Sequence, residues 1–432
     1  MQSCSKKSNG DINTNTGNGG TVETATIKFI PDSVFRVYLK ANVCPDAFDK
    51  TGKFIDITNS EVKNFNGTMQ IDTVTCPNVS SLKGIQYFTN MKKLVVQNSG
   101  LDSLDLSATN SIDTLRLLGN IDLQYVALSG CTSMRYIRVY NLPVVTLDVS
   151  NLPQLNYVDL LTMQRLSNLK TDNDANLRHI ITYGLTSLKT VNVASNPSLG
   201  RLYLDYCTSL SSLDLTHNSK LYGLFVQTAP NLKSIDLSKC DSLEMASIDE
   251  TSIDSIDVSH NAKLFALNLA WSPYLRNLNL LANPKICELS LDGCTALQTI
   301  DLRAQKSFDY YSVNTSQYSG VPDADVYMIV QYGLISPVAD AQHPIHIQPT
   351  RAGVNGATQN LYGGLRVPQY LDANGISLTQ IKVNAAVKDN YSLVMARRVL
   401  GSMTPALITV YADDQSTVLC NDYDPNLFTC NH

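Results

Sequence analysis

From residue 104 to residue 302 the chain repeats one short pattern, an apolar–any–apolar triplet at near-constant spacing. Triplets begin at Leu104, Leu115, Val126 and Ile137, and continue through Leu202, Leu213 and Leu224 to Leu289 and Ile300. The step is 11 residues, with two steps of 10, from Ile137 to Leu147 and from Ala246 to Ile256. Alternation puts the two apolar side chains of a triplet on one face and the middle residue on the other. A triplet is too short to be a strand on its own. Stacked in parallel on its neighbours, it builds a ladder with a continuous apolar interior. Two units make a coil of the usual length for such arrays, so each coil carries one strand on each broad side. The expected architecture is mainly β, with two parallel sheets back to back. About ten coils at ~4.8 Å per strand give a slab on the order of 50 Å long.

The full unit reads L-x-x-L-x-L-x-x-N-x-x, with Asn or Cys in the ninth place: Asn120, Cys131, Asn196, Cys207, Asn218, Cys240, Asn261, Asn283 and Cys294. This resembles the leucine-rich-repeat pattern. Asn at that turn can satisfy backbone groups without a ladder partner, and a buried Cys fills the same small space. Upstream, FIPDSVFRVYLKANVCPDAFDKTGKFIDITNSEV places Pro31 and Asp32 at a helix start and Val34, Phe35, Tyr38 and Leu39 on an apolar helical face. Together with SSLKGIQYFTNMKKLVV it resembles the N-terminal cap and opening repeat of bacterial leucine-rich-repeat surface proteins, internalin-like or of the Bacteroidetes type. In that family the cap often carries an EF-hand-like acidic loop. Here a twelve-residue loop ending at Glu61 puts Lys50, Gly52 and Phe54 at the first, third and fifth places; starting at Asp49 instead gives Thr51, Lys53 and finally Ser60. Neither register makes a calcium cage, so no metal is expected.

Sorting alternate triplets separates two faces. The set from Leu104 displays Asp105, Asp148, Asp214, Asp236 and Asp257 among its middle residues, usually preceded by Ser, Thr or Asn. That is a monotonous, hydrated surface with few anchors. The set from Leu115 displays Arg116, Arg138, Tyr203 and Phe225, flanked by Tyr136, Tyr140 and Tyr183, with Tyr206 and Trp271 just beyond their strands. Tyr, Trp and Arg combine contact area with a polar handle and anchor interfaces most often. The expected partner-binding residues are Arg116, Tyr136, Arg138, Tyr140, Tyr183, Tyr203, Phe225 and Trp271.

Composition narrows the function classes. A net charge of −5 leaves no electrostatic footprint for nucleic acid. No apolar run is long enough to span a membrane as a helix. None of the ten cysteines forms C-x-x-C; those in the repeat read as buried thiols, while Cys420 and Cys430 could pair. The opening MQSCSKKSNGDINTNTGNGG is polar and low in complexity, and MQSC resembles the end of a bacterial lipoprotein signal with Cys4 as the lipidated residue. Such a lipid would anchor the protein to the outer membrane, at the cell surface; secretion is the alternative. No nucleophile elbow, Walker loop, zinc-protease helix or Rossmann glycine pattern appears. His343 and His346 have metal-like spacing without identified partners, and no cofactor is expected.

The expected organisation is a tether over 1–24, a cap and opening repeat over 25–92, the solenoid over 93–306 and a β-rich C-terminal domain or cap over 307–432. The expected function is a non-enzymatic surface binding or adhesion module that offers a rigid sheet to a protein ligand, the partner class the resemblance implies. Two alternatives stand beside it: glycan capture through Tyr203, Phe225 or Trp271, and an envelope-structural role in which the C-terminal region carries the activity.

Overall fold

In the computed structural model of the chain, residues 22–286 are described throughout; beyond them the description covers short strands as far as Thr417–Val418, and Cys294, Ala296 and Leu297. Cys4, Cys420, Cys430, His343 and most of 307–432 lie outside the described residues.

The cap begins with Ile27–Phe29, paired antiparallel to Phe54–Asp56. Between them runs the helix Ser33–Asn42, whose Asp32 cap accepts 2.8 Å hydrogen bonds from the amides of Val34 and Phe35. These satisfy two of the donors a helix start leaves without a partner. Phe35, Tyr38 and Leu39 are buried, as the apolar periodicity predicts. The Tyr38 hydroxyl accepts from the Gln70 amide at 3.0 Å. Gln70 belongs to Thr68–Asp72, the end strand of the large sheet, so the cap satisfies an amide that would otherwise have no ladder partner. Asp49 closes a tight turn by accepting from the amides of Lys53 and Phe54 and the Thr51 hydroxyl.

The solenoid is mainly β, as expected, with one broad side carrying a sheet of 13 strands among the described residues. It is parallel throughout, and the interior positions stay in register: Leu94, Leu115, Ile137, Val158, Ile180, Leu202 and Leu224 follow one another down the ladder. All seven are fully buried. Burying such a side chain contributes about 1.5–3 kcal/mol, and this core repeats once per coil. The same sheet continues beyond Glu288–Ser290 into Gln369–Asp372 and Tyr391–Ser392.

The opposite side is different from the continuous second sheet that the triplets suggest. Its strands Ser103–Asp105, Tyr125–Ala127, Thr146–Asp148, Asn168–Lys170, Thr190–Asn192 and Ser212–Asp214 are three residues long and pair only in twos. A middle aspartate ends three of these six. Asp105 accepts from the amide of Ser107 at 2.9 Å, Asp148 from Ser150 at 3.0 Å, and Asp214 from Thr216 at 2.9 Å. Asp236 and Asp257 do the same with Ser238 and Ser259. This side-chain turn takes over an amide the ladder would need and bends the chain at once.

On the broad side the equivalent places hold Arg116, Arg138, Ile181, Tyr203, Phe225 and Ser247, and the strands run on for five or seven residues. Two exceptions support the rule. Asp159 is held by Arg138 at 3.3 Å, and its strand keeps five residues. Asn268 makes the turn to the amide of Ala270, and its strand stops at three.

The ninth-place residues form a buried spine. Asn218 donates to the carbonyls of Val193 and Asn196, and Asn261 to those of Leu237 and Cys240. Cys131 and Cys294 point their thiols at the carbonyls of Leu106 and Leu269. Asn218 and both cysteines reach the carbonyl 25 residues upstream, so one turn geometry accepts either residue. The six described cysteines, Cys44, Cys76, Cys131, Cys207, Cys240 and Cys294, are free and buried.

Candidate functional site

The outward side of the long strands is organised in lanes. In the first lane Tyr136, Tyr157, His179 and Arg201 stand in register. Tyr136 stacks on Tyr157 with ring centroids 5.1 Å apart, and Tyr157 meets His179 at 5.7 Å. The Arg116 guanidinium lies 5.6 Å from the Tyr136 ring centre, and that of Arg201 lies 5.3 Å from Tyr222 and 6.0 Å from Phe225. Neighbours one coil apart therefore cover one another. Burial, with Arg201 and Arg178 nearby, pushes the His179 imidazole down to about 3, so it stays neutral at physiological pH.

The middle lane holds Arg138 against Asp159, and Tyr203 against Phe225 at 5.8 Å. The Tyr203 hydroxyl is shared between Asp205 Oδ2 at 3.2 Å and Gln227 Oε1 at 3.0 Å. Gln227 Nε2 donates to the Ser247 hydroxyl, which also accepts from Asn268 and donates to Asp249 at 2.7 Å. A hydrogen-bonded chain thus crosses three strands from the Asp205 carboxylate to that of Asp249, and Asn268 on a fourth strand donates into it. Burial raises both carboxyls to about 6; Asp249 and Glu250 add to the rise at Asp205, and Glu250 adds to it at Asp249.

The third lane, at the C-terminal ends of the strands, is where side chains reach water. It contains Tyr140, Leu161, Tyr183, Asp205, Gln227 and Asp249 in register. Next comes one left-handed residue per coil: Asn98, Gly119, Asn141, Thr162, Gly184, Tyr206, Thr228, Glu250 and Trp271, with φ between 49° and 72°. Asn and Gly tolerate that conformation; Thr, Tyr, Glu and Trp are strained in it by about 1 kcal/mol each. The strain puts Tyr206 and Trp271 onto the open lip, where they are 46% and 45% exposed. The Tyr206 ring lies 5.2 Å from that of Tyr183.

Of the eight expected partner-binding residues, Tyr140, Tyr183 and Trp271 are exposed at this lip. Tyr136, Tyr203 and Phe225 are buried instead of displayed, because the residue one coil away stacks against each. Arg116 and Arg138 are half-buried and are held by Tyr136 and Asp159. They form the floor of the face. Tyr206 completes the exposed row, and its signal in the sequence was its place one residue past a strand. Among the described residues no cluster of His, Cys, Asp and Glu is arranged to hold a metal ion.

The family described as the Endo-beta-N-acetylglucosaminidase EndoS LRR domain matches residues 49–168, less than half of the chain. No curated protein matches the chain. Among solved structures, the functional domain of InlJ from Listeria monocytogenes, with a cysteine ladder, is similar at 17% identity and a TM-score of 0.34, covering 64% of this chain and 77% of that one. The internalin InlF from the same species is similar at 17% identity and a TM-score of 0.30, with 61% and 90% covered. The Leptospira interrogans LRR protein LIC12759 is similar at 15% identity and a TM-score of 0.24, with 56% and 85% covered. Identities and scores this low carry no argument about function.

Proposed function

We propose that this protein is a binding module that docks a protein partner along the strand-end lip of its large sheet. The observation that carries the reading is the row of exposed aromatic side chains, Tyr140, Tyr183, Tyr206 and Trp271, fixed to one end of a rigid parallel ladder. Large rings with few rotamers lose little entropy on docking, and a backbone already ordered by its coils loses less still. The buried floor beneath them keeps the lip from collapsing. Anchoring through a lipid on Cys4, and with it display at the bacterial surface, belongs to the same reading.

The test is a cross-linking pull-down from host or neighbouring-cell extract with the wild-type chain and with Tyr140→Ala/Tyr183→Ala. Loss of a specific captured protein in the variant supports the lip as the docking surface. Unchanged capture removes the site. Saturable binding to a glycan array that disappears in the same variant would favour the carbohydrate alternative.

A further inference from the structure

We propose that Asp174 is a proton-operated latch: its carboxyl carries a hydrogen in the folded chain and donates it through Oδ2 to carbonyls that other coils satisfy with an asparagine amide. Losing that proton loosens the two turns it joins.

The frame of the spine assigns the role. Asn196 Nδ2 donates to the carbonyls of Thr171 at 2.7 Å and Asp174 at 3.5 Å, 25 and 22 residues upstream. Asn218 reaches back by the same offsets to Val193 and Asn196, and Asn283 to Val258 and Asn261. Asp174 stands 22 residues before Asn196, and the short strands ahead of it keep that offset, with Leu169 beside Leu147. The carbonyls in its own frame are therefore those of Val149 and Leu152.

The side chain fits this frame with one atom changed. Oδ1 accepts from the Leu152 amide at 2.8 Å, while Oδ2 is buried without a hydrogen-bond partner. Where asparagine places a donor, an ionised carboxylate offers only a second acceptor. Facing oxygens leave both sides unsatisfied, and a carboxyl hydrogen satisfies them at once.

No cation stands in for the proton. The upstream turn, residues 146–155, has Asp148 as its one ionisable side chain, and the downstream turn, 190–199, has none. Its own turn, 168–177, adds Asp172 and Lys170, and Lys170 is 3.4 Å from Asp148. Arg178, just past the turn, acts on His179. Burial, with Asp172 and Asp148 of its own sign adding to it, raises the Asp174 carboxyl to about 7 despite the Leu152 bond. The latch is closed below that value and released above it.

Both turns close on backbone bonds beside the latch. The Leu155 amide donates to the Leu152 carbonyl at 2.8 Å, and the Leu177 amide to that of Asp174 at 2.9 Å. The turns then lead into Tyr157–Leu161 and His179–Tyr183 of the large sheet. Release therefore acts at the foot of the strand that ends in Tyr183.

Two measurements on the full chain test this. Infrared difference spectra of wild type minus Asp174→Asn should show a protonated-carboxyl band at pH 5.5 that fades by pH 8.5. Hydrogen exchange read by mass spectrometry, with labelling times scaled for the chemical effect of pH, follows the turns. The amides of Leu152, Leu155 and Leu177 should lose about tenfold or more of their protection between the two pH values. Those of Asn218 and Leu221, in an asparagine coil, should keep theirs. Asp174→Asn should hold both turns protected throughout.

Absence of the carboxyl band at pH 5.5 overturns the proposal, as does protection of these turns that ignores pH. An equal loss of protection in Asp174→Asn assigns the effect to another group and overturns it too. If Asp174→Asn fails to fold, Asp174→Cys takes its place. Cysteine is the other residue this spine accepts, and burial pushes the Cys240 thiol up to about 12, so it keeps its hydrogen at both pH values.

Discussion

The carboxylate of Asp32 accepts a 2.7 Å hydrogen bond from the hydroxyl of Ser80, 48 residues away. The same oxygen takes the amides of Ser80 and Ser81, while the other oxygen caps the helix Ser33–Asn42. One side chain therefore starts the cap helix and fastens it to the chain that leads into the solenoid.

Asp32→Ala is expected to cost about 1–2 kcal/mol for the lost helix cap, and more for the amides left behind at Ser80 and Ser81. Desolvation opposes ionisation of Asp32, but the hydrogen bonds from Phe35, Ser80 and Val34 outweigh it and hold the carboxyl below its ordinary value. Its contribution is present above the unfolded value near 3.8 and disappears as pH falls through the lower folded value. Chemical denaturation at pH 7 and pH 2.5 checks this: the gap between wild type and Asp32→Ala should narrow in acid.

Asp174 occupies a spine position that in other coils holds Asn or Cys. Its Oδ1 accepts from the Leu152 amide at 2.8 Å, and its Oδ2 is buried with no partner. Burial raises its carboxyl to about 7 despite the Leu152 bond, with Asp172 and Asp148 adding to the rise. A raised folded value stabilises fully below pH 3.8 and loses that contribution as pH climbs to about 7. Asp174→Asn supplies the missing donor and removes the titration. Thermal melts should show it more stable than wild type at pH 8, with the advantage shrinking towards pH 4. Equal melting temperatures at pH 8 would contradict the assignment.

The spine cysteines are placed as small buried hydrogen-bonding groups. Burial pushes the thiols of Cys44, Cys76 and Cys240 up to about 12 and that of Cys207 up to about 11, where the reactive thiolate is scarce. Mass-spectrometric mapping after maleimide treatment should find Cys44, Cys76, Cys131, Cys207, Cys240 and Cys294 unmodified in the native protein and modified in guanidinium. Native labelling at any of these would mean its coil opens.

Thr162 is a β-branched residue at φ 57°, in a row where Asn98 and Asn141 hold the same conformation. Thr162→Asn relieves strain without touching the interior, and should stabilise the chain by about 1 kcal/mol. Equilibrium denaturation measures it directly, and destabilisation would show that the Thr162 side chain matters more than its backbone.

The frame of the fold was legible because leucines at fixed spacing have only one way to share a core. Asn218 and Cys240 marked the turns for the same reason. Strand length was written there too, in Asp214 followed two residues on by Thr216, yet it reads as a hydrated ladder until the amide it captures is seen. Burial of Tyr136, Tyr203 and Phe225 was not legible, because each is covered by residues about 21–24 positions away along the chain and adjacent only across the ladder.

The aspartate turns carry a last consequence. On the coils that carry Asp105, Asp148 and Asp214, the short strand ends where one outward residue, in contact with solvent and not with the core, captures the amide two positions on. Asp214 shortens its side, and Phe225, eleven positions on, allows five or more residues of ladder. At those coils the strand end is set from outside, by a surface residue, while the leucine interior that keeps the molecule folded is shared by long and short sides alike.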